Sequence, residues 1–69
     1  MNNKKVPTPE VGQTWKNECG VKFKITDSHI NAQGFEMFHC EYLEKFEYGN
    51  RWSMGKGWFD GTSGYSFIK

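Results

Sequence analysis

The chain has 69 residues, which is enough for one small domain and too few for a catalytic cleft between two lobes. Its formal net charge of +1 lacks the basic excess of a dedicated duplex-DNA binder, and no apolar run approaches the length of a membrane span. Three Trp, three Tyr and six Phe outnumber the seven branched aliphatic residues. Because aromatic and β-branched side chains favour strands, we predict an all-β domain.

The charges are distributed unevenly along the sequence. Residues 1–26 carry a net charge of +3, residues 27–50 carry −4 and residues 51–69 carry +2. One interpretation is that a small domain places opposite charges on neighbouring strands, which favours solubility. The other is a dipolar surface whose acidic ribbon meets a basic patch on another protein.

Two cysteines, Cys19 and Cys40, allow one disulfide at most. The residues that follow Met1 are polar and then rich in proline, so we expect no secretion signal and a cytoplasmic location. In that compartment the two cysteines are expected to be free thiols.

Together with the cysteines, His29 and His39 make four side chains that could bind zinc. Their spacing contains no paired-ligand motif, and the neighbours His39 and Cys40 point to opposite faces of a strand. The triad residue types in Asp27-Ser28-His29 are consecutive, which prevents the geometry of a catalytic triad. We therefore predict no metal, no cofactor and no enzymatic activity.

In chain order, residues 1–10 are predicted to form a flexible N-terminal arm, because Pro7 and Pro9 favour extended backbone and prevent a helix. Residues 11–69 form the single predicted domain. Its first strand covers residues 12–16, a turn follows at 17–20, and residues 21–26 alternate cleanly. This alternation places Phe23 and Ile25, with Trp15 beside them, in the core.

Residues 27–34 are predicted to be a polar loop, and residues 35–43 a third strand. The alternation in this strand places Phe35 and Met37 on one face. Phe38, Cys40 and Tyr42 fall on the other face.

The sequence Tyr48-Gly49-Asn50-Arg51 is typical of a two-residue hairpin turn. If Tyr48 pairs with Arg51, one side of the hairpin carries Trp52. The opposite side then carries Tyr42, Phe46 and Tyr48 beside Arg51. Either a bulge at residues 44–45 turns Phe46 back into the core, or this second side is an exposed aromatic binding surface.

After the hairpin, glycines at positions 55 and 57 end the strand, and Trp58 and Phe59 add two large rings. Residues 60–64 form a turn that has room for one helical turn. Residues 65–69 are predicted to be the last strand. Five short strands with this spacing indicate a small SH3-like barrel.

The stretch Val11-Gly-Gln-Thr-Trp15, followed by Gly20-Val-Lys-Phe23-Lys-Ile25, resembles the opening of small SH3-like proteins encoded by phages and prophages. The resemblance covers residues 11–26, and the remainder agrees in strand count and in the closing aromatic segment. It implies a compact accessory protein in the host cytoplasm that binds, and inhibits or modulates, a host or phage macromolecule. The chain has no ALYDY-like stretch, so a proline-rich ligand is not implied.

We therefore predict a non-enzymatic protein-binding module, present as a monomer or small homo-oligomer and not bound to a membrane. The candidate binding residues are Phe46, Tyr48, Arg51, Trp52 and Trp58, with Trp52 left open between core and interface. The alternative is a single-stranded nucleic-acid-binding barrel that stacks bases on its aromatic residues. Five basic residues could then follow the phosphate backbone: Lys16, Lys22, Lys24, Arg51 and Lys56.

Overall fold

The computed structural model describes residues 7–68, which form a sheet of five antiparallel strands. The strands are β1 (Thr14–Lys16), β2 (Lys22–Ile30), β3 (Glu36–Tyr42), β4 (Arg51–Gly55) and β5 (Ser66–Ile68). Their order in the sheet is β4-β3-β2-β1-β5, so the last strand returns to pair with the first. This confirms the predicted all-β class with five strands, and the arrangement is consistent with a small β-barrel-like fold.

Strand β2 begins as the alternation predicted. Phe23 and Ile25 are fully buried, whereas Lys22 and Lys24 are exposed. Trp15 in β1 lies opposite Phe23 and is also fully buried. We call the face that carries these buried side chains the core face of the sheet, and the face with the lysines the outer face.

A β-bulge then interrupts the pairing of β2 with β3. Ile25 lies opposite Cys40 and Asp27 opposite His39, which leaves Thr26 as an extra residue. The Thr26 hydroxyl donates a hydrogen bond to the His39 carbonyl oxygen, at 3.2 Å. The bulge shifts the alternation by one residue, so that Asp27 and His29 lie on the outer face.

The predicted polar loop at residues 27–34 is therefore wrong in its first half, because β2 continues to Ile30. The strand pairs as far as Ile30 opposite Glu36, beyond the end of the core. Ile30 is 64% exposed. Polar side chains occur here in a strand because the tertiary pairing with β3 outweighs their low strand propensity.

The predicted two-residue turn at Gly49-Asn50 is also wrong. Strands β3 and β4 pair Cys40 with Trp52, so residues 43–50 form an eight-residue connection. Asn50 closes this loop: its carbonyl oxygen accepts from the Tyr42 amide, and its side chain accepts from the Phe46 amide. Gly49 supplies a φ of 122° inside the loop.

The new register moves Tyr42 to the same face as Trp52, because the pairing differs from the predicted one by an odd number of residues. The bulge considered at residues 44–45 is not needed, since these residues lie in the loop. Phe46 is in that loop too, and it is 39% exposed.

A four-residue 3₁₀ helix (Lys56–Phe59) covers part of the core face, one turn earlier than the predicted position at residues 60–64. Its last residue, Phe59, lies with its ring centroid 4.8 Å from that of Trp15 and 5.6 Å from that of Phe38. Burial of this one ring fixes the position of the helix. The fully packed core consists of Trp15, Phe23, Ile25, Phe38, Cys40, Met54 and Phe59.

Residues 7–10 have no regular secondary structure, but Pro9 is buried. Gln13 connects this segment to the core, because its side-chain nitrogen donates to the Thr8 carbonyl oxygen while its side-chain oxygen accepts from Trp15 Nε1. The rest of the predicted arm, residues 1–6, lies outside the described residues. Among residues 7–68, no helix is long and apolar enough to cross a membrane.

Both cysteines are free thiols, as predicted, with Cys19 exposed and Cys40 buried. Burial raises the pKa of the Cys40 thiol to about 12. Cys40 therefore packs as a small apolar side chain and not as a reactive one.

Candidate functional site

Six aromatic rings form a continuous series of contacts on the core face. We call this series the aromatic row. Successive ring centroids are 4.9, 4.4, 5.1, 5.7 and 6.0 Å apart, close to the usual range for paired aromatic side chains. In order, the row consists of Phe46, Tyr42, Trp52, Phe23, Tyr65 and Trp58.

The sheet places the centre of the row through strand pairing. Tyr42, the last residue of β3, lies opposite Phe23 in β2. Trp52 in β4 lies opposite Cys40, which comes two residues before Tyr42 in β3. Tyr65 comes from the segment just before β5, and its ring meets Phe23 from the other side.

Exposure increases from the centre of the row to its ends. Phe23 is fully buried and forms its floor, whereas Tyr42, Trp52 and Tyr65 are half-buried. At the two ends, Phe46 is 39% and Trp58 is 51% exposed. The row is therefore an apolar surface that is open to solvent along one side and supported by the core beneath it.

Carboxylates lie near the row. Glu18 approaches the segment before β5 so closely that a Cβ added at Gly64 would lie 2.8 Å from the Glu18 Cβ. Burial, and secondly the charge of Glu18, raises the pKa of the Tyr65 phenol above its ordinary value. Glu44 and Glu47 are exposed in the loop that carries Phe46.

The structure brings together three of the five residues predicted for binding: Phe46, Trp52 and Trp58 belong to the aromatic row. The other two lie elsewhere. Tyr48 is 96% exposed in the 43–50 loop, and within residues 7–68 its ring contacts no other aromatic ring. Arg51 lies opposite Glu41 on the outer face, on the other side of the sheet from Trp52.

Three residues of the row were not predicted as site residues: Phe23, which was predicted for the core, and Tyr42 and Tyr65. The alternation of β3 placed Tyr42 on the same face as Phe38 and Cys40, and the structure shows that this is the core face. The wrong hairpin register separated it from Trp52. Tyr65 carried no such signal, because its position depends on the 3₁₀ helix and the following turn.

The outer face carries a different group of polar side chains. His29 Nδ1 and His39 Nε2 are 2.8 Å apart, and His39 Nδ1 is 3.1 Å from the Ser53 hydroxyl oxygen. Asp27 and Arg51 line the same shallow hollow as His39 and Ser53. Within residues 7–68, no three His, Cys, Asp or Glu side chains are grouped so that they could hold a metal ion together.

Three lysines also lie on the outer face. Lys16 pairs with Lys22 across β1 and β2, and Lys24 pairs with Thr14. All three are exposed. The basic cluster and the aromatic row are therefore on opposite sides of the sheet.

Comparisons of the chain with protein-family models, with curated proteins and with solved structures return no match. The resemblance to small phage SH3-like proteins stays a prediction.

Proposed function

We propose that this chain is a non-enzymatic module that binds another protein through the aromatic row. The observation that carries the proposal is the row itself: five partly exposed rings that are supported from below by the sixth, the fully buried Phe23. Contiguous apolar surface of this kind marks interaction sites, and Trp and Tyr are enriched among the residues that dominate binding energy.

The charges around the row suggest the chemistry of the partner. Glu18, Glu44 and Glu47 are exposed near its two sides, while the lysines of β1 and β2 are on the other face. A protein segment with large apolar side chains flanked by Lys or Arg would complement this surface. Binding that inhibits or modulates a host macromolecule is the role that the resemblance to phage accessory proteins suggests.

A single-stranded nucleic acid is the second candidate, and the basic cluster of Lys16, Lys22 and Lys24 is the observation in its favour. A strand whose bases stacked on the aromatic row would leave its phosphates near Glu44 and Glu47, with Lys16, Lys22 and Lys24 out of reach on the outer face. Lys45 and Lys56 are exposed in the loop and the helix that carry the ends of the row, but Glu44 and Glu47 flank Lys45. The arrangement therefore favours a protein partner over this alternative.

The two candidates are separated by affinity capture from bacterial lysate, with and without nuclease, followed by affinity measurement on the captured partner. A protein partner should survive nuclease treatment. Trp58→Ala should then weaken its binding by about 2 kcal/mol, or roughly 30-fold, with only modest salt dependence. Phe35→Ala is the matched control, because Phe35 is 64% exposed and lies outside the row.

Three results would contradict the proposal. Loss of binding in Lys22→Ala/Lys24→Ala with a steep salt dependence would indicate nucleic acid. Equal weakening by Phe35→Ala would mean that Trp58 is not specific to the site. Weakening by Tyr48→Ala but not by Trp58→Ala would move the interface from the row to the 43–50 loop.

A further inference from the structure

We propose that His29 and His39 form a two-histidine chelate on the outer face for a late first-row divalent cation, Cu²⁺ above Ni²⁺ and Zn²⁺. His29 Nδ1 and His39 Nε2 face each other at 2.8 Å. These are the only two histidines in the chain. The site is separate from the aromatic row, which lies on the other side of the sheet, so this inference does not rest on the proposed function.

The distance between the two nitrogens suits a shared metal ion. Imidazole nitrogen binds these metals at about 2.0–2.1 Å, so two cis ligands at a right angle lie about 2.9 Å apart. The ring centroids of His29 and His39 are 4.7 Å apart, with a moderate tilt of 39° between the planes. Both nitrogens can therefore reach one ion after small rotations of the exposed His29 ring and the partly buried His39 ring.

The β-bulge at Thr26 creates this pair. In the part of β2 before the bulge, odd-numbered residues such as Ile25 lie on the core face. Uninterrupted alternation would have placed His29 there as well. The extra residue turns His29 to the outer face, diagonal to His39, and bulges commonly reorient a side chain next to a functional site.

Ser53 can support the metal-binding tautomer of His39. Its hydroxyl oxygen is 3.1 Å from His39 Nδ1 and can accept from Nδ1–H, and in that tautomer Nε2 carries the lone pair that faces His29. Such a hydrogen bond to the non-ligating nitrogen is the usual support of a metal-binding histidine. His29 binds the cation through Nδ1 in the neutral tautomer that carries its proton on Nε2, so that Nδ1 offers a lone pair.

The rest of the coordination sphere is water. Asp27 lies opposite His39 on the same face, but its carboxylate accepts a hydrogen bond from the Ser28 amide at 2.8 Å. With two protein ligands, the affinity depends mainly on the metal. The Irving–Williams order then places Cu²⁺ first, and two cis nitrogens with waters match its tetragonal geometry.

The test is titration of the tag-free chain with Cu²⁺ and separately with Ni²⁺, followed by calorimetry and, for Cu²⁺, by electron paramagnetic resonance. The parent protein carries Cys19→Ser, since the exposed Cys19 thiol would otherwise react with Cu²⁺. We expect one site with two nitrogen ligands. His29→Ala and His39→Ala should each weaken binding at least about tenfold, and Ser53→Ala about tenfold. Ser66→Ala, an exposed serine on β5, should leave the affinity unchanged.

The proposal is wrong if either single histidine variant binds Cu²⁺ within twofold of the parent, or if the spectrum shows a single nitrogen ligand. A second measurement tests the two-histidine chelate without a further variant. On the parent protein, Ni²⁺ should broaden the imidazole C–H resonances of both histidines at the same metal concentration. Broadening of only one of them would overturn the chelate.

Discussion

The core face has two halves that are built from the same kind of side chain and differ in what covers them. In the first half, Trp15 and Phe38 are at most 2% exposed, and their rings meet Phe59 at 4.8 and 5.6 Å. In the second half, Tyr42 and Trp52 pack at 4.4 Å, yet both remain half-buried. Ring geometry alone therefore does not distinguish an enclosed core from a surface that is open to solvent.

The difference comes from the 3₁₀ helix. The centroid of its Phe59 ring lies 4.8 and 5.6 Å from those of Trp15 and Phe38, but 6.3 Å from those of Phe23 and Tyr65 in the row. Along residues 7–68, no other helix covers the second half, so its rings keep one side in water. The covered half should consequently dominate stability, and the uncovered half should contribute less to stability and more to binding.

The largest expected effect is in the covered half. Trp15→Ala and Phe59→Ala should each lower the free energy of unfolding by about 3–5 kcal/mol, enough to unfold a domain this small. Each change removes a fully enclosed ring and leaves a cavity. Urea unfolding monitored by circular dichroism measures the loss. Near-native stability of either variant would mean that Phe59 does not cover this half.

A smaller effect is expected in the uncovered half. Trp52→Ala and Tyr42→Ala should each cost about 1–2 kcal/mol, because these half-buried rings lose only part of their contacts with the protein. The same urea experiment gives the comparison directly. A cost equal to that of Trp15→Ala would show that the row belongs to the core and is not a surface.

A third prediction compares the two cysteines. Burial raises the pKa of Cys40 from 9.0 to about 12, which means that the folded state favours the neutral thiol. Its contribution to stability is complete below pH 9 and is lost as the pH rises towards 12, because the unfolded chain then releases the proton first. For a single thiol the loss is about 1 kcal/mol by pH 10.

Unfolding measured between pH 8 and pH 11 should show this loss, and Cys40→Ala should reduce it relative to the parent protein. Cys19→Ser is the matched control, because Cys19 is exposed, and it should leave the pH dependence unchanged. In a thiol-labelling experiment at pH 8, one cysteine should react in the folded protein and two after unfolding. Rapid labelling of both in the folded state would contradict the burial of Cys40.

The sequence was sufficient to predict the class of fold and three residues of the core, Trp15, Phe23 and Ile25, but not the burial of Phe59. The clean alternation of Phe23 and Ile25 with lysines identified the inner side of β2, and the inward-facing position of Trp15 beside them made it a predicted core residue. These signals are local, since each depends on residues two positions apart. The same alternation in β3 placed Phe38 and Cys40 correctly.

The uncovered half could not be predicted because its geometry depends on loops. The Gly-Asn pair is typical of a tight turn, but Asn50 instead uses its side chain to close an eight-residue loop. This one difference moved Tyr42 next to Trp52 and separated both from Arg51. Likewise, the bulge at Thr26 has no pattern in sequence that identifies it, yet it brings His29 to His39.

The smallest expected effect is at the exposed end of the row. Trp58 is 51% exposed, and its closest ring, that of Tyr65, is 6.0 Å away between centroids. Trp58→Ala should therefore change the free energy of unfolding by no more than about 0.5 kcal/mol, a value typical of surface substitutions. Tyr48→Ala is the control: it removes a ring that is 96% exposed, so its change in the free energy of unfolding shows what the loss of an unpacked ring costs. If Trp58→Ala costs as much as Trp52→Ala, the Trp58 ring is packed as firmly as the half-buried rings of the row. The end of the row at Trp58 would then be part of the packed structure and not an open surface.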